Sequence, residues 1–477
     1  MNILILLSDE HQAGAMGCAG HPIVRTPALD RLAARGTRFE RAWTPSPVCV
    51  PARASLATGR WVHEIRYWDN ATAYDGRVPG WGRRLQREGV AVESIGKLHY
   101  RDETDPTGFD RQHLPTHVWR GIGQVWGSVR DPMPETMGRS PLYDEIGAGE
   151  SSYNRYDVQV AERAARWLRE RRGDARPWVL FVGLVAPHFP LIVPKRHLDA
   201  YPPDAMPAAK LQPRDGYRRH PWVERQARHM DHDAAIGTDA RRRLATATYY
   251  GLVSFLDEQV GRVLDALDES GLRDDTLVIY SSDHGDNLGA RGMWNKCLLY
   301  RESTSVPMIV SGPGVPGGAV CGTNANLVDL YPTMLDALGL RVEDAERSLP
   351  GASLLRLAAS PTDDTRVGFS EYHAVGGASA AYMLAQGRYK YHHYVGFAPE
   401  LFDLAQDPEE TRDLAADPAH APRVEHFERL LRERLDPERV DRLAKDDQNA
   451  LVARFGGRES ALRSGTPGAT PVQESRP

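Results

Sequence analysis

With 477 residues, 41% of them hydrophobic and 26% charged, the chain is long enough to bury one large core and a smaller one. The formal charge of −5 and an isoelectric point near 6.4 supply no electrostatic reason to expect nucleic acid or a membrane surface as partner. No apolar run is long enough to cross a bilayer, and four scattered cysteines, Cys18, Cys49, Cys297 and Cys321, are too few for a disulfide framework and fit a reducing cytoplasm.

Residues 3–7 form a continuous apolar run, the mark of a strand buried on both faces of a parallel sheet. Asp9, Glu10, His11 and Gln12 follow at its end. No basic segment precedes the run and an acid follows within a few residues, so it reads as a strand and not as a signal peptide. Thr26 and Pro27 read as an N-cap and first helical residue, with Gly36 as the stop, and residues 37–43 return as an extended segment.

Residues 46–60 run from a Pro-punctuated loop into a short helix with Cys49 at its start. Such a position gathers unpaired backbone N–H groups and the positive end of the helix dipole, which suits a group that attacks or holds an anion. Arg53, one turn on, adds a forked cation matched to sulfate or phosphate oxygens. A loop over 61–75 carries Trp68, Asp69 and Asn70. A helix is predicted over 82–88 and a strand over 90–95, with Gly96, Lys97 and His99 at its exit. Residues 101–150 lack periodicity and read as a surface excursion in which Trp119 and Trp126 line a pocket or pin the loop.

A helix over 156–171 precedes an apolar strand over 178–185, which delivers His188. After an irregular stretch to about residue 240 comes a long amphipathic helix over 241–267. The next strand, 276–280, delivers Asp283, His284, Gly285 and Asp286. A turn with Trp294, Asn295 and Lys296, a strand over 306–310 and a helix over 327–338 follow. From residue 366 short strands at 367–372, 380–384, 389–394 and 400–404 predict an antiparallel sheet under a charged helix near 423–435. Residues 463–477, rich in Ser, Gly, Thr and Pro, predict a disordered tail.

Asp9, Lys97 with His99, His188, and Asp283 with His284 each leave a separate apolar strand. In an open, mostly parallel sheet those exits share one edge, where ligands bind, so together they define one site. Asp9, Asp283, Glu10 and His284 offer oxygen and imidazole ligands suited to Ca²⁺, Mg²⁺ or Mn²⁺. Arg53, Lys97 and Lys296 supply positive charge for a bound sulfate or phosphate, and His99 and His188 hold or donate protons near neutral pH.

Cys49-x-Pro51-x-Arg53 followed by Thr58-Gly59-Arg60 resembles the sulfatases of the alkaline phosphatase superfamily. A thiolate phosphatase of the Cys-x5-Arg type would instead need arginine where Ser55 stands. The acid pair after the first strand, the Gly96-Lys97-x-His99 segment, Pro187-His188-x-Pro190, Asp283-His284-Gly285-Asp286 and the later Lys296 match the family in order, and Gly387-Arg388-Tyr389 with Leu401-Phe402-Asp403 resembles its C-terminal part. The resemblance implies an alkaline-phosphatase-like α/β/α sandwich with a mostly parallel central sheet over 1–360, and a small C-terminal α+β subdomain with an antiparallel sheet over 361–462. It implies that Cys49 is oxidised to formylglycine by a formylglycine-generating enzyme. It also implies a divalent metal, Ca²⁺ before Mn²⁺ or Mg²⁺, held by Asp9, Glu10, Asp283, His284 and residue 49.

Catalysis would then fall to Cys49, Arg53, Lys97, His99, His188 and Lys296. Glu10, where many sulfatases carry a second Asp, leaves its ligand role open, and Ala52 replaces the common Ser. Segments around Trp68-Asp69-Asn70, Trp294-Asn295-Lys296 and Ser370-Glu371-Tyr372 look like the choline sulfatase branch and imply substrate contacts from Asn70 and Glu371. The implied reaction is hydrolysis of a small sulfate ester: choline-O-sulfate, or an aryl or alkyl sulfate. A phosphonate monoester or phosphodiester hydrolase using the same residues stays open, as does an inactive sulfo-ligand binding protein. The sequence leaves oligomeric state open, a homo-oligomer included.

Overall fold

Strand β1 (Asn2–Asp9) is buried along its whole length. Its side chains alternate between two cores, with Leu4 and Leu6 in one and Ile3, Ile5 and Leu7 in the other. A strand with both faces covered needs no polar alternation, which is why it reads as an uninterrupted apolar run. The computed structural model describes residues 1–138, 141–174, 176–463 and 472. Strands β2 (Thr37–Phe39), β3 (Ala91–Lys97), β4 (Arg111–Thr116), β5 (Trp178–Pro187), β6 (Thr276–Ser282), β7 (Met308–Ser311) and β8 (Ala319–Cys321) join β1 in one eight-stranded sheet. The order is β8-β2-β7-β6-β1-β5-β3-β4, and all neighbours pair parallel except β7 with its two flanking strands.

Helices α1 (Pro27–Ala34), α2 (Cys49–Thr58), α3 (Ser152–Glu170), α4 (Asp239–Glu269) and α5 (Leu330–Ala337) flank the sheet. Those numbered α1, α3 and α4 share the core of Leu4 and Leu6, while α2 and α5 share that of Ile3, Ile5 and Leu7. The layers form the expected α/β/α sandwich. No helix among the described residues is long and apolar enough to cross a membrane.

An edge strand of the sheet and two short helices were not predicted. Edge strand β4 lies inside the stretch read as strandless, because its residues are half-exposed and it lacks an apolar run. The irregular stretch before α4 contains short helices at Pro221–His229 and His232–Ile236. The chain changes sheets between the helix Leu354–Ala359 and β9 (Gly368–Tyr372). Strand β9 then continues with β10 (Ala381–Gln386), β11 (Tyr389–Tyr394) and β12 (Glu400–Asp403) as an antiparallel meander.

Helix α6 (Ala421–Arg434) covers the meander, with Phe427 stacked on Tyr391 at 5.6 Å between centroids. Two unpredicted helices follow, α7 (Pro437–Arg454) and α8 (Arg458–Arg463). The buried stripe of α7 is Val440, Ala444, Gln448 and Val452. One small and one polar residue in four leave a faint periodic signal. The tail expected over 463–477 lies outside the described residues, apart from 463 and 472.

Strands β3 and β5 approach closely at their C-terminal ends, where each carries a glycine. A Cβ on Gly183 would sit 2.0 Å from the Lys97 carbonyl oxygen, and one on Gly96, at φ +95°, would sit 2.2 Å from that of Gly183. The backbone of Lys97 is thereby held against the exit of β5.

Candidate active site

The four adjacent parallel strands β6, β1, β5 and β3 bring Asp283 and His284, Asp9 and Glu10, His188, and Lys97 with His99 to one edge of the sheet. Helix α2 enters this edge with Cys49 as its first residue. All ten of its residues are buried, and its N-cap, Val48, supplies no side-chain cap. The Val50 N–H is instead bound by Asn70 Oδ1 at 3.1 Å.

Arg53, 1% exposed, ties the edge together. It donates through Nε to Asp283 Oδ2 at 2.7 Å, through NH2 to Asp9 Oδ2 at 2.9 Å and through NH1 to the Lys97 carbonyl at 3.2 Å. Lys97 Nζ lies 2.7 Å from Asp9 Oδ2. Cys49 Sγ lies 3.1 Å from His284 Nε2 and 3.7 Å from Asp9 Oδ1. On the other side of Asp9, Glu10 Oε2 accepts from Lys296 Nζ at 3.1 Å and faces His188 Nε2 at 3.5 Å. Lys296 also lies over the Phe189 ring, 5.0 Å from its centroid.

Oxygen, sulfur and nitrogen donors of Asp9, Cys49, Asp283 and His284 all lie within 4.8 Å of one another, and those of Asp9, Glu10 and His188 form a second such group. The His284 Nδ1–H is occupied by the Gly285 carbonyl at 3.1 Å, which leaves the Nε2 lone pair facing the cluster as a metal ligand requires. His188 has the same tautomer, its Nδ1–H held by the Phe189 carbonyl at 2.7 Å.

The site carries more acid than its cations balance. Burial drives the Glu10 carboxyl up to about 8, with Asp286 reinforcing and Lys296 opposing. Burial likewise takes Asp286 up to about 6, and Glu10 Oε1 is buried without a partner. Uncompensated buried carboxylates are what a divalent cation relieves. Asp9 behaves otherwise: burial would raise it, but Lys97, His188 and Arg53 hold it well below the usual carboxylate range.

Burial, with Asp9 adding, pushes the Cys49 thiol up to about 12. The unmodified side chain is therefore a thiol at neutral pH, despite the helix dipole, and a poor nucleophile. Burial pushes His99 and His188 well below the ordinary imidazole value, helped by Lys97 and Arg53 at His99 and by Lys296 at His188. Both ring nitrogens of His99 are buried without a hydrogen-bond partner, and its φ of 60° is uncommon for a non-glycine residue. Burial also opposes the charge of Lys296, yet Cys49, Glu10 and Asp9 hold its ammonium well above the ordinary value.

Of the residues expected at the site, Cys49, Arg53, Lys97, His188, Lys296, Asp9, Glu10, Asp283 and His284 are linked by these contacts, and His99 stands among their charges. Asn70 touches the start of α2. Glu371 is the exception. It is wholly buried, accepting from the His63 N–H at 3.1 Å, pairing with His63 Nδ1 at 2.9 Å and with His373 Nε2 at 2.8 Å. The substrate contact expected from Glu371 thus gives way to a buried hydrogen-bonded network with His63 and His373, because both its oxygens are already engaged. Sequence reasoning missed Asp286 as the acid whose charge acts on Glu10, although its place in Asp283-His284-Gly285-Asp286 marked it. It also missed Phe189, for which no sequence signal existed.

The similarities of the chain agree with this geometry. A sequence profile of the sulfatase family matches residues 1–340, and one for the C-terminal region of N-sulphoglucosamine sulphohydrolase matches 289–438. The chain is 31% identical over 429 residues to a choline-sulfatase of Rhizobium meliloti, covering 87% of this chain and 83% of that protein. It is 28% identical over 448 residues to arylsulfatase K of Homo sapiens, covering 87% and 78%. The crystal structure of a phosphonate monoester hydrolase of Agrobacterium radiobacter superposes with a TM-score of 0.73 at 25% identity, covering 91% of this chain and 95% of that one. With a family match over most of its length and its charged edge assembled around Cys49 and Arg53, the chain belongs to the sulfatase family of the alkaline phosphatase superfamily, a sulfuric ester hydrolase.

Proposed function

We propose that the protein hydrolyses a small sulfate ester, choline-O-sulfate or an aryl or alkyl sulfate, to the alcohol and inorganic sulfate. The observation that carries this reading is the buried cluster of Asp9, Cys49, Asp283 and His284 flanked by the cations Arg53, Lys97 and Lys296. Oxidation of Cys49 to formylglycine by a formylglycine-generating enzyme would supply a hydrated aldehyde, an oxygen nucleophile with a second hydroxyl for releasing sulfate. The inert thiol of the unmodified chain supports that need. Asp9, Asp283 and His284 would hold a divalent cation, Ca²⁺ before Mn²⁺ or Mg²⁺, with Glu10 Oε1 beside them. When bound, it offsets negative charge on the nucleophile and the ester oxygens.

The chain's own residues do the rest. Lys97 and Lys296 present ammonium groups to the ester's non-bridging oxygens, and Arg53 holds Asp9 and Asp283 by their Oδ2 atoms, which fixes the two carboxylates that would hold the cation. Lys296 keeps its proton throughout neutral pH. His188 is neutral before substrate arrives; the negative charge of the bound ester favours uptake of a solvent proton at Nε2, which then passes to the departing alcohol oxygen and leaves the imidazole neutral again. His99, neutral and unpartnered, accepts the proton released at residue 49. Asn70, with its oxygen on Val50, has its amide N–H₂ left for the substrate, and the face of Phe189 lies beside Lys296 to receive the alcohol part. The free thiols of Cys18, Cys297 and Cys321 support a reducing, cytoplasmic place of action.

A second reading, hydrolysis of a phosphonate monoester, is favoured by the likeness to the Agrobacterium enzyme. An inactive sulfo-ligand binder is disfavoured by the complete charged set. Mass spectrometry of the peptide bearing Cys49, from the native host, should find hydrogen sulfide lost and oxygen gained. p-Nitrophenyl sulfate should be turned over faster than p-nitrophenyl phenylphosphonate. Unmodified thiol throughout an active preparation, or faster phosphonate turnover, defeats the proposal.

A further inference from the structure

Helix α7 reaches the catalytic half of the molecule through two neighbouring polar side chains: Asp447, which accepts from Arg66 Nε at 2.8 Å and Trp68 Nε1 at 2.7 Å, and Gln448. Gln448 is 2% exposed. Its Nε2 donates to Asp69 Oδ2 at 2.7 Å and to the His373 carbonyl at 2.8 Å, and its Oε1 accepts from Arg130 NH1 at 2.9 Å. Asp69, also buried, accepts from Ser128 Oγ at 2.7 Å and, through Oδ1, from the Ala71 N–H at 2.9 Å. That last bond closes a turn with Asn70 at its apex. The Asn70 carbonyl accepts from the Gln124 N–H at 2.9 Å, and its side-chain oxygen holds the Val50 N–H.

Val50 adjoins Cys49, and as one of the first N–H groups of α2 it has no partner within the helix. Asn70 is the acceptor that fixes it, and the 69–71 turn fixes Asn70. A buried carboxylate deprived of a donor turns to recover one, carrying its turn with it. Beside this polar line, α7 and α8 also make apolar contacts: Val452 and Ala461 pack with Ala71, Val125 and Val129.

We propose that Gln448 is a positioning residue for the active site, acting through Asp69 and Asn70 on the start of the helix that carries residue 49. The inference rests on the reading of Cys49 as the reacting position. It assigns to the C-terminal arm a part in the chemistry that no charged or nucleophilic residue of that arm announces.

Gln448→Met keeps length and bulk but removes both hydrogen-bonding ends. Hydrogen exchange read by mass spectrometry on the peptide containing Val50 should accelerate about tenfold. The kcat/KM for p-nitrophenyl sulfate should fall about 10- to 100-fold, as small displacements of reacting groups do. Asn70→Ala with Gln448→Met should be no worse than Asn70→Ala alone, since residues acting in series do not add. Val452→Ala, in the same helix, should change neither exchange at Val50 nor turnover. Should Gln448→Met fail to fold, Ser128→Ala removes another donor to Asp69 and should move the same readouts less far in the same direction. Unchanged exchange at Val50, or losses that multiply in the double variant, overturns the proposal. The exchange measurement needs no substrate, so a protein that turns over no sulfate ester sinks the reading of the site while leaving this inference separately decided.

Discussion

Replacing Arg53 by methionine tests whether the site is held by charge. The guanidinium is 1% exposed and both of its acids are 0% exposed. In the variant Asp9 keeps Lys97 at 2.7 Å, but Asp283 keeps only the backbone N–H groups of Glu10 and His284, at 3.2 and 3.0 Å. One buried carboxylate therefore loses its cation outright, a change that costs about 3–5 kcal/mol. At roughly 2 °C per kcal/mol for a chain of this size, the melting midpoint in chelator should drop by about 6–10 °C. Added Ca²⁺ should narrow the gap, because a cation at Asp9 and Asp283 replaces the missing charge and binds the folded state alone. Scanning calorimetry of both proteins, with chelator and with Ca²⁺, reads all four midpoints. A variant that melts within about 2 °C of the wild type in chelator refutes the electrostatic argument.

Gly183→Ala must push β5 away from the Lys97 carbonyl, and overpacking of this kind costs about 1–3 kcal/mol; melting and turnover should fall together, and wild-type values of both would show that the strands are not so close. Glu302 offers a pH test. Burial raises its carboxyl, but Arg291 and Lys210 hold it down at about 2, against 4.5 for a free glutamate. A depressed folded value stabilises above the unfolded one and is lost as pH falls from 4.5 towards 2, at about 1.4 kcal/mol per pH unit. Glu302→Gln should therefore be less stable than wild type at neutral pH, with the gap in urea midpoint closing in acid; a constant gap would contradict the pairing. Glu371→Gln should lower stability by about 1–3 kcal/mol and leave KM within about twofold, whereas a tenfold rise in KM at unchanged stability would return Glu371 to the substrate.

The site was legible because its residues follow strands buried on both faces. Such strands write themselves as apolar runs, so the residue after each run marks a point on the ligand-binding edge without knowledge of strand order. Asp9, His188 and Asp283 were found in this way, and the spacing from Cys49 to Arg53 supplied the helix. What escaped depends on contacts made after the chain closes. Glu371 looks like any strand carboxylate until His63 and His373, one of them far away in sequence, occupy it. Strand β4 needs only one neighbour and carries no apolar run, and α7 buries Gln448 where an apolar residue would have announced a helix.

For the proposed conversion of Cys49, the enclosure of α2 sets an order of events in biogenesis. Cys49 is 1% exposed, and no side of its helix meets solvent. A modifying enzyme the size of a protein has no way to grip that segment once the sheet and its covering layers have closed around it. Conversion of the thiol, as proposed, would then have to precede folding, and a molecule that folds first would keep its unconverted form.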